Sequence, residues 1–399
     1  MKIAYISNYL GPLFIKQYCN EKRFSVSATF KSTAIARALL KGGHDVTIFS
    51  PGITICNRFI KSYVEVVYFP EGLIKIFYPE IISFRKCSFI NSILLWRVLR
   101  KKSVNQEFDL LLFYNISWDA ALCLPIFSNR YCILEYEDNI FNKALKGQKN
   151  KFEWLKLRLF RHVIKQIDAA IITGKEMLNT SNVKTKVHIP GAISEDVIDN
   201  IVFKEKTLSN GFPVKLLLAG GLHYSKGPDL IIKALSFVKY SCELTLYGSG
   251  LLDTDAVGLI PTVPKYHKII LHDFVQHDEL IKIMSNEAHI LLNSTRDMGV
   301  PPGSAGYPFK MMEYASTGRP IVSSRIGRFD DEFNKLVTFY ENEDPEEIGQ
   351  AITYVIEHYQ ECARMALVLQ KRTISEFSID GISQKLNLFI KEVSNNNGS

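Results

Sequence analysis

No run of about 18 or more apolar residues occurs in the 399-residue chain, so no segment is long and apolar enough to cross a bilayer as a helix. The opening stretch, Met1-Lys2-Ile3-Ala4-Tyr5-Ile6-Ser7, is too short for a signal peptide and reads as a first strand. Cysteine is sparse: Cys19, Cys56, Cys87, Cys123, Cys132, Cys242 and Cys362 are an odd number with no C-x-x-C pair. That pattern indicates neither a disulfide framework nor a zinc site and suits a reducing cytoplasm. Gly11 stands alone instead of opening a G-x-G-x-x-G fingerprint, and Gly248-Ser249-Gly250 lacks the spacing of a G-x-S-x-G elbow. His44, His162, His188, His223 and His272 form no i,i+4 pair of the kind that binds metal; His223 alone shares a loop with a candidate lysine. What is present is average for a globular protein, 47% hydrophobic and 22% charged, with a net charge of +7.

The length is roughly two to three times that of an ordinary domain, which predicts two domains. Short β-branched or aromatic runs alternate with helical periods, the signature of an open parallel sheet with helices on both faces. The first series has strands at 2–7, 45–49, 109–114, 131–135, 169–173 and 186–189 and a helix at 33–41. Segment 194–213 has no clear period and contains Asn210-Gly211, which marks the junction. The second series has strands at 214–218, 243–247, 269–272, 289–293 and 320–323, with helices at 229–238 and 308–317. The expected division is 1–200 and 201–379, with a final helix at 380–394 returning to the first domain. Two such Rossmann-like domains face each other across a cleft, and ligands bind at the carboxyl ends of the strands.

Two segments carry chemistry. Gly299–Ser324 reads GVPPGSAGYPFKMMEYASTGRPIVSS, a turn running into a helix whose free N–H groups and dipole suit an anion, above all a diphosphate. Lys310 in the first helical turn opposes the dipole preference but suits a phosphate, and Glu313 one turn on can accept both hydroxyls of a ribose. Leu218–Asp229, LAGGLHYSKGPD, is a strand, a glycine loop bearing Lys226-Gly227, and a helix.

This pair resembles the nucleotide-sugar site of glycosyltransferase family 4, the group 1 glycosyl transferases of GT-B fold, with its G-R-L-x-x-x-K-G loop and E-x7-E motif. The order of elements is similar from residue 1 to about 393. The stretch PFKMMEYASTGRPIV resembles the variant P-x-K-x-x-E-Y-x-A-x-G-x-P-I-V, with Ser316 in place of its alanine. The resemblance implies a retaining transferase that moves a hexose-like sugar from UDP or GDP to a hydroxyl of a glycan in cell-surface polysaccharide synthesis. By it Lys226 and Lys310 hold the diphosphate, Glu313 the ribose, and the backbone of Gly306, Tyr307 and Phe309 the distal phosphate. Gly248, Phe274 and Val275 flank the base, and Gly11 lets the chain approach the donor. Two positions depart from the pattern: the first glutamate falls on Ala305 and the loop arginine on Gly221, so Arg296 is a candidate replacement cation. Asp253-Thr254-Asp255 matches a D-x-D signature but lies in the wrong place for one, and neither a metal nor a cofactor is expected.

Glu135 and Asp138, at the end of a first-domain strand, could orient or deprotonate an acceptor hydroxyl; equally, Asp138 could be a helix N-cap with solvated neighbours. Between Ile55 and Lys102 nine Lys and Arg residues oppose Glu65, Glu71 and Glu80 among many aromatics. Lys151–Lys165 is a second basic cluster, with Phe152, Leu155, Leu159 and Val163 expected on one face. The apolar stripe reads as core; the charges predict an anionic membrane surface as partner and a lipid-linked acceptor, in preference to nucleic acid. A non-catalytic GT-B subunit, a nucleotide-sugar epimerase and a phosphorylase-like enzyme remain alternatives.

Overall fold

The computed structural model describes residues 1–19, 27–52, 58–84, 87–101, 107–127, 130–137, 151–174, 183–202, 204–209, 211–248, 256–273, 275–296, 309–325 and 333–396. The chain forms two units. Met1–Ala192 and Ile379–Ser399 make the first; Ile193–Gly303 and Tyr307–Ser378 make the second. The change of unit thus falls at Ala192–Ile193, ahead of the aperiodic segment in which the sequence reading set it.

In the first unit an eight-stranded sheet comprises β1 (Lys2–Ile6), β2 (Asp45–Phe49), β4 (Tyr63–Phe69), β5 (Gly72–Tyr78), β7 (Leu110–Tyr114), β8 (Tyr131–Tyr136), β9 (Ala169–Ile172) and β10 (Thr185–His188). Its order is β10-β9-β8-β7-β1-β2-β5-β4, and a small sheet pairs β3 (Arg58–Ile60) with β6 (Ile81–Ser83). All pairings of the large sheet are parallel except β4 with β5. Central strands such as β7 (LLLFY) and β9 (AAII) are continuous apolar runs because helices cover both their faces. The helices are α1 (Pro12–Tyr18), α2 (Ser27–Lys41), α3 (Ser88–Leu99), a short Trp118–Cys123 segment and α4 (Lys151–Ile164). Pro12 at the first helical position starts α1. In α4 the buried face is Leu157, Phe160 and Val163, whereas Leu159 is exposed. The stripe expected through Leu159 is therefore rotated, by the two residues that separate it from Leu157.

The second unit holds β11 (Val214–Ala219), β12 (Cys242–Tyr247), β13 (Lys268–His272), β14 (Ile290–Asn293), β15 (Ile321–Ser324) and β16 (Thr338–Tyr340), all parallel. The order β13-β12-β11-β14-β15-β16 is the doubly wound Rossmann arrangement. Its helices include α5 (Pro228–Ala234), α6 (His277–Asn286), α7 (Phe309–Ser316), α8 (Pro345–Glu357) and α9 (Tyr359–Phe377). A last helix, α10 (Ile379–Asn396), belongs to the first unit and packs on α2, held by Lys41–Asp380 at 2.8 Å and by His44 on Asn387. Each unit has its own apolar core.

Candidate functional site

The site grows from the second sheet. Because β11 lies between β12 and β14, the loops that leave β11 and β14 diverge, and open parallel sheets bind ligands at such a switch point. Before they part, glycines bring the loops after β11, β12 and β14 into contact. Gly248 ends β12 at φ 141°, and a Cβ there would stand 1.8 Å from the Gly220 carbonyl oxygen. Gly227 has φ 62°, and a Cβ there would meet the Ser294 carbonyl at 2.3 Å. Neither position admits another residue without moving backbone.

Side chains then fasten the loop. Ser294 Oγ donates to the Lys226 carbonyl at 2.8 Å, and the Arg296 N–H donates to the Ser225 carbonyl at 2.9 Å. The buried Arg296 guanidinium donates to both Asp229 oxygens (2.9 and 2.8 Å), to the Tyr224 carbonyl (2.8 Å) and to Glu343 (3.2 Å). It also lies 3.9 Å from the centre of the Tyr224 ring. The hydrogen bonds to Asp229 hold its pKa above the ordinary arginine value. Arg296 reads from sequence as a replacement cation for a diphosphate; here two carboxylates already neutralise it, and it clasps the Tyr224–Lys226 turn.

That turn presents Lys226, half-buried, its pKa lowered by desolvation. Lys310, in the first turn of α7, runs its stem past Gly220, its Cδ 3.9 Å from where a Cβ would be, and sets its ammonium 5.9 Å from the Tyr314 ring centre. Tyr314 is itself fixed, since the Ala219 N–H donates to its hydroxyl at 2.8 Å. Burial first, and the charge of Lys226 second, push the Lys310 ammonium down to about 7. Neither lysine ammonium has an ion pair or hydrogen bond among the described residues. Two cations near enough for the charge of one to depress the other can hold a dianion, which would relieve the repulsion and the desolvation at once.

Glu313, one turn along α7, is buried, and its Oε1 lies 2.6 Å from His277 Nε2, leaving Oε2 without a partner among the described residues. His277 opens α6 beyond β13, and its pKa is raised mainly by that hydrogen bond. Sequence reading missed this histidine; its partner is 36 residues away and no spacing rule links them. Gly221, exposed, is overlain by His223, whose Cδ2 would be 3.1 Å from a Cβ there. Val275 is half-buried just beyond β13. Phe274, Gly306, Tyr307, Ala305 and Asp253-Thr254-Asp255 lie outside the described residues, as does the side chain of Phe309.

The first unit receives Gly11 and Glu135; Asp138 is outside the described residues. Gly11 follows β1, donates its N–H to the Tyr78 hydroxyl at 2.8 Å, and carries the Glu65 carboxylate where a Cβ would be, 2.4 Å away. That carboxylate accepts from the N–H groups of Leu13 (2.8 Å) and Phe14 (3.4 Å), so the chain itself supplies the anion at the start of α1. Glu135, fully buried, accepts from the Tyr5 hydroxyl and lies 3.9 Å from Lys31, which pairs with Glu137 at 3.3 Å. Burial pushes the Glu135 carboxyl up to about 7, against the pull of Lys31. It is a buried carboxyl behind the part-exposed Glu137, not a surface carboxylate.

Two Rossmann-like units, the second with a lysine-bearing glycine loop at its switch point, define the GT-B class of α/β fold. Residues 213–358 match the family described as glycosyl transferases group 1. Three solved structures share the architecture. Sucrose-phosphate synthase from Thermosynechococcus elongatus is 14% identical, with 98% of each chain covered and a TM-score of 0.65. HepE from Anabaena in complex with UDP is 11% identical, covering 98% of this chain and 100% of that one, with a TM-score of 0.64. A glycosyltransferase from Rickettsia africae is 14% identical over 98% of each, with a TM-score of 0.64. At these identities the likeness is one of fold. No curated protein matches the chain by sequence.

Proposed function

We propose that the protein is a glycosyltransferase that takes a sugar from a nucleoside diphosphate, UDP or GDP, and passes it to a hydroxyl of a glycan acceptor. The observation that carries this reading is the juxtaposition of Lys226 and Lys310, un-neutralised among the described residues, beside the backbone of Gly220 and Gly227. A departing diphosphate would gather its charge there, and the two ammoniums with the start of α7 would stabilise it without a divalent ion. The open oxygen of Glu313 would take a ribose hydroxyl, with His277 fixing the carboxylate. The solved complexes of HepE with UDP and UDP-glucose and of starch synthase IV with ADP support a nucleotide ligand. Retention of configuration follows if the donor phosphate itself takes the acceptor proton. Glu137, backed by Lys31 and Glu135, is the candidate contact for the acceptor, which we read as a lipid-linked glycan in surface polysaccharide synthesis.

Gly221 favours one second reading, a GT-B subunit that binds nucleotide without turning it over, because the loop there lacks the family's arginine. Incubation with UDP- and GDP-sugars separates the two: an enzyme releases nucleoside diphosphate slowly, and Lys226→Ala abolishes the release. Nucleotide binding with no release supports the second reading. Absence of nucleotide binding by thermal shift overturns both, since a ligand at about 100 times its Kd raises stability by ~2.7 kcal/mol.

A further inference from the structure

The basic, aromatic flank between Ile55 and Lys102 reads from sequence as facing an anionic membrane surface, and the surface of its described part, 58–84 and 87–101, is more one-sided than its composition. Among its described residues six cations are exposed, Arg58, Lys61, Lys75, Arg97, Arg100 and Lys101, against a single exposed acid, Glu80. The other acids are turned inward: Glu65 accepts the N–H groups of α1, and Glu71 pairs with Arg37 at 2.9 Å. Strand register divides the β4–β5 hairpin into two faces. On the inner one Glu65 opposes Ile76 and Val67 opposes Ile74; on the outer one Val64 opposes Phe77, Val66 opposes Lys75 and Tyr68 opposes Leu73. Phe77 turns into the core against Phe49, and beyond it the outer face is apolar and open: Val64 is 56%, Val66 41%, Tyr68 78% and Leu73 41% exposed.

We infer that the outer face of the β4–β5 hairpin, with Lys75 on it and the exposed Lys61 two residues ahead of β4, docks the protein on an anionic lipid bilayer. Charge selects this occupant. A second copy would bring like-charged faces together, and a face with one exposed ring, Tyr68, among Val64, Val66 and Leu73 offers no series of stacking platforms for nucleic-acid bases. An anionic headgroup layer meets both the cations and the apolar strip, each Lys or Arg adding attraction near the surface. Insertion is shallow. Among the described residues β4 pairs only with β5, so its other edge has backbone groups that hydrocarbon cannot satisfy. Tyr68 then sits at headgroup depth, where tyrosine is favoured.

Docking deepens the lipid-linked acceptor reading, but its test needs no donor. Full-length protein is sedimented with vesicles of equimolar phosphatidylcholine and phosphatidylglycerol, and with pure phosphatidylcholine, at low salt. The anionic vesicles should bind at least about tenfold better. Lys61→Glu/Lys75→Glu and, separately, Val66→Ser/Tyr68→Ser should each lower that binding about tenfold or more while near-ultraviolet dichroism and UDP binding stay unchanged. No preference for anionic vesicles, or wild-type binding by both folded variants, overturns the inference. So does self-association lost in Val66→Ser/Tyr68→Ser without vesicle binding, or a DNA affinity that matches the vesicle affinity. UDP binding without vesicle binding leaves the transferase reading standing; the reverse removes that reading and leaves the docking face.

Discussion

The loop after β1 and the loop after β11 share a grammar, strand then glycine then helix, yet they differ in charge. After β1, Gly11 makes room for the Glu65 carboxylate, which is 2% exposed and fills the start of α1 with an anion from the chain. After β11, Gly227 makes room for the Ser294 backbone and Gly220 turns the chain at φ 118° beside the Lys310 stem, and two ammoniums stand without a counterion among the described residues. A glycine-led helix start is therefore not an anion site in itself. What decides is whether the protein supplies its own carboxylate.

The largest test of this contrast is Gly248→Ala. The added Cβ meets the Gly220 carbonyl in a left-handed backbone, so loss of about 3 kcal/mol or more in denaturant unfolding is expected, with UDP binding lost. Next, Lys226→Ala should weaken UDP or GDP binding by ~1.5–3 kcal/mol in calorimetry with thermal stability unchanged or raised, because a buried repulsion disappears. Glu65→Ala should do the reverse: about 1–3 kcal/mol less stable, as the Leu13 and Phe14 N–H groups lose their acceptor, with nucleotide affinity unaltered. If Glu65→Ala weakened nucleotide binding as much as Lys226→Ala, the two loops would not differ in the way described.

The smallest effect is one of pH. Burial and the charge of Lys226 depress the Lys310 pKa to about 7, so above that value a bound diphosphate must draw a proton on to the amine. Nucleotide affinity is then fullest below about 7 and falls as pH rises through it, by at most about tenfold per unit. Calorimetry across this range on wild type and Lys310→Met isolates the contribution, since ionisation of the nucleotide is common to both.

Much of the framework was legible. β2 matches its expected 45–49 limits because DVTIF is a short apolar run between turn residues, and β11 to β15 follow the same rule. The hairpin β4–β5 was hidden because both its faces are largely apolar, with Lys75 interrupting one and Glu65 the other, so no clean alternation marks it and the stretch reads as a basic flank. Within the site, the glycines and Lys226 were legible from local pattern, and Lys310 from its contrary position in a helix start. Their meeting across 84 positions could come only from resemblance, and the engagement of Arg296 by Asp229 and Glu343, or of Glu313 by His277, only from packing.

The most direct measurement compares UDP with uridine, and GDP with guanosine, by titration calorimetry on wild type and on Lys226→Ala/Lys310→Met. A diphosphate held between the two lysines requires at least one nucleotide to bind about 100-fold tighter than its nucleoside, at a cost of about 1.5–3 kcal/mol per charged contact removed, with that advantage erased in the double variant. Equal binding of nucleotide and nucleoside by wild type, or an advantage that survives loss of both ammoniums, would contradict it.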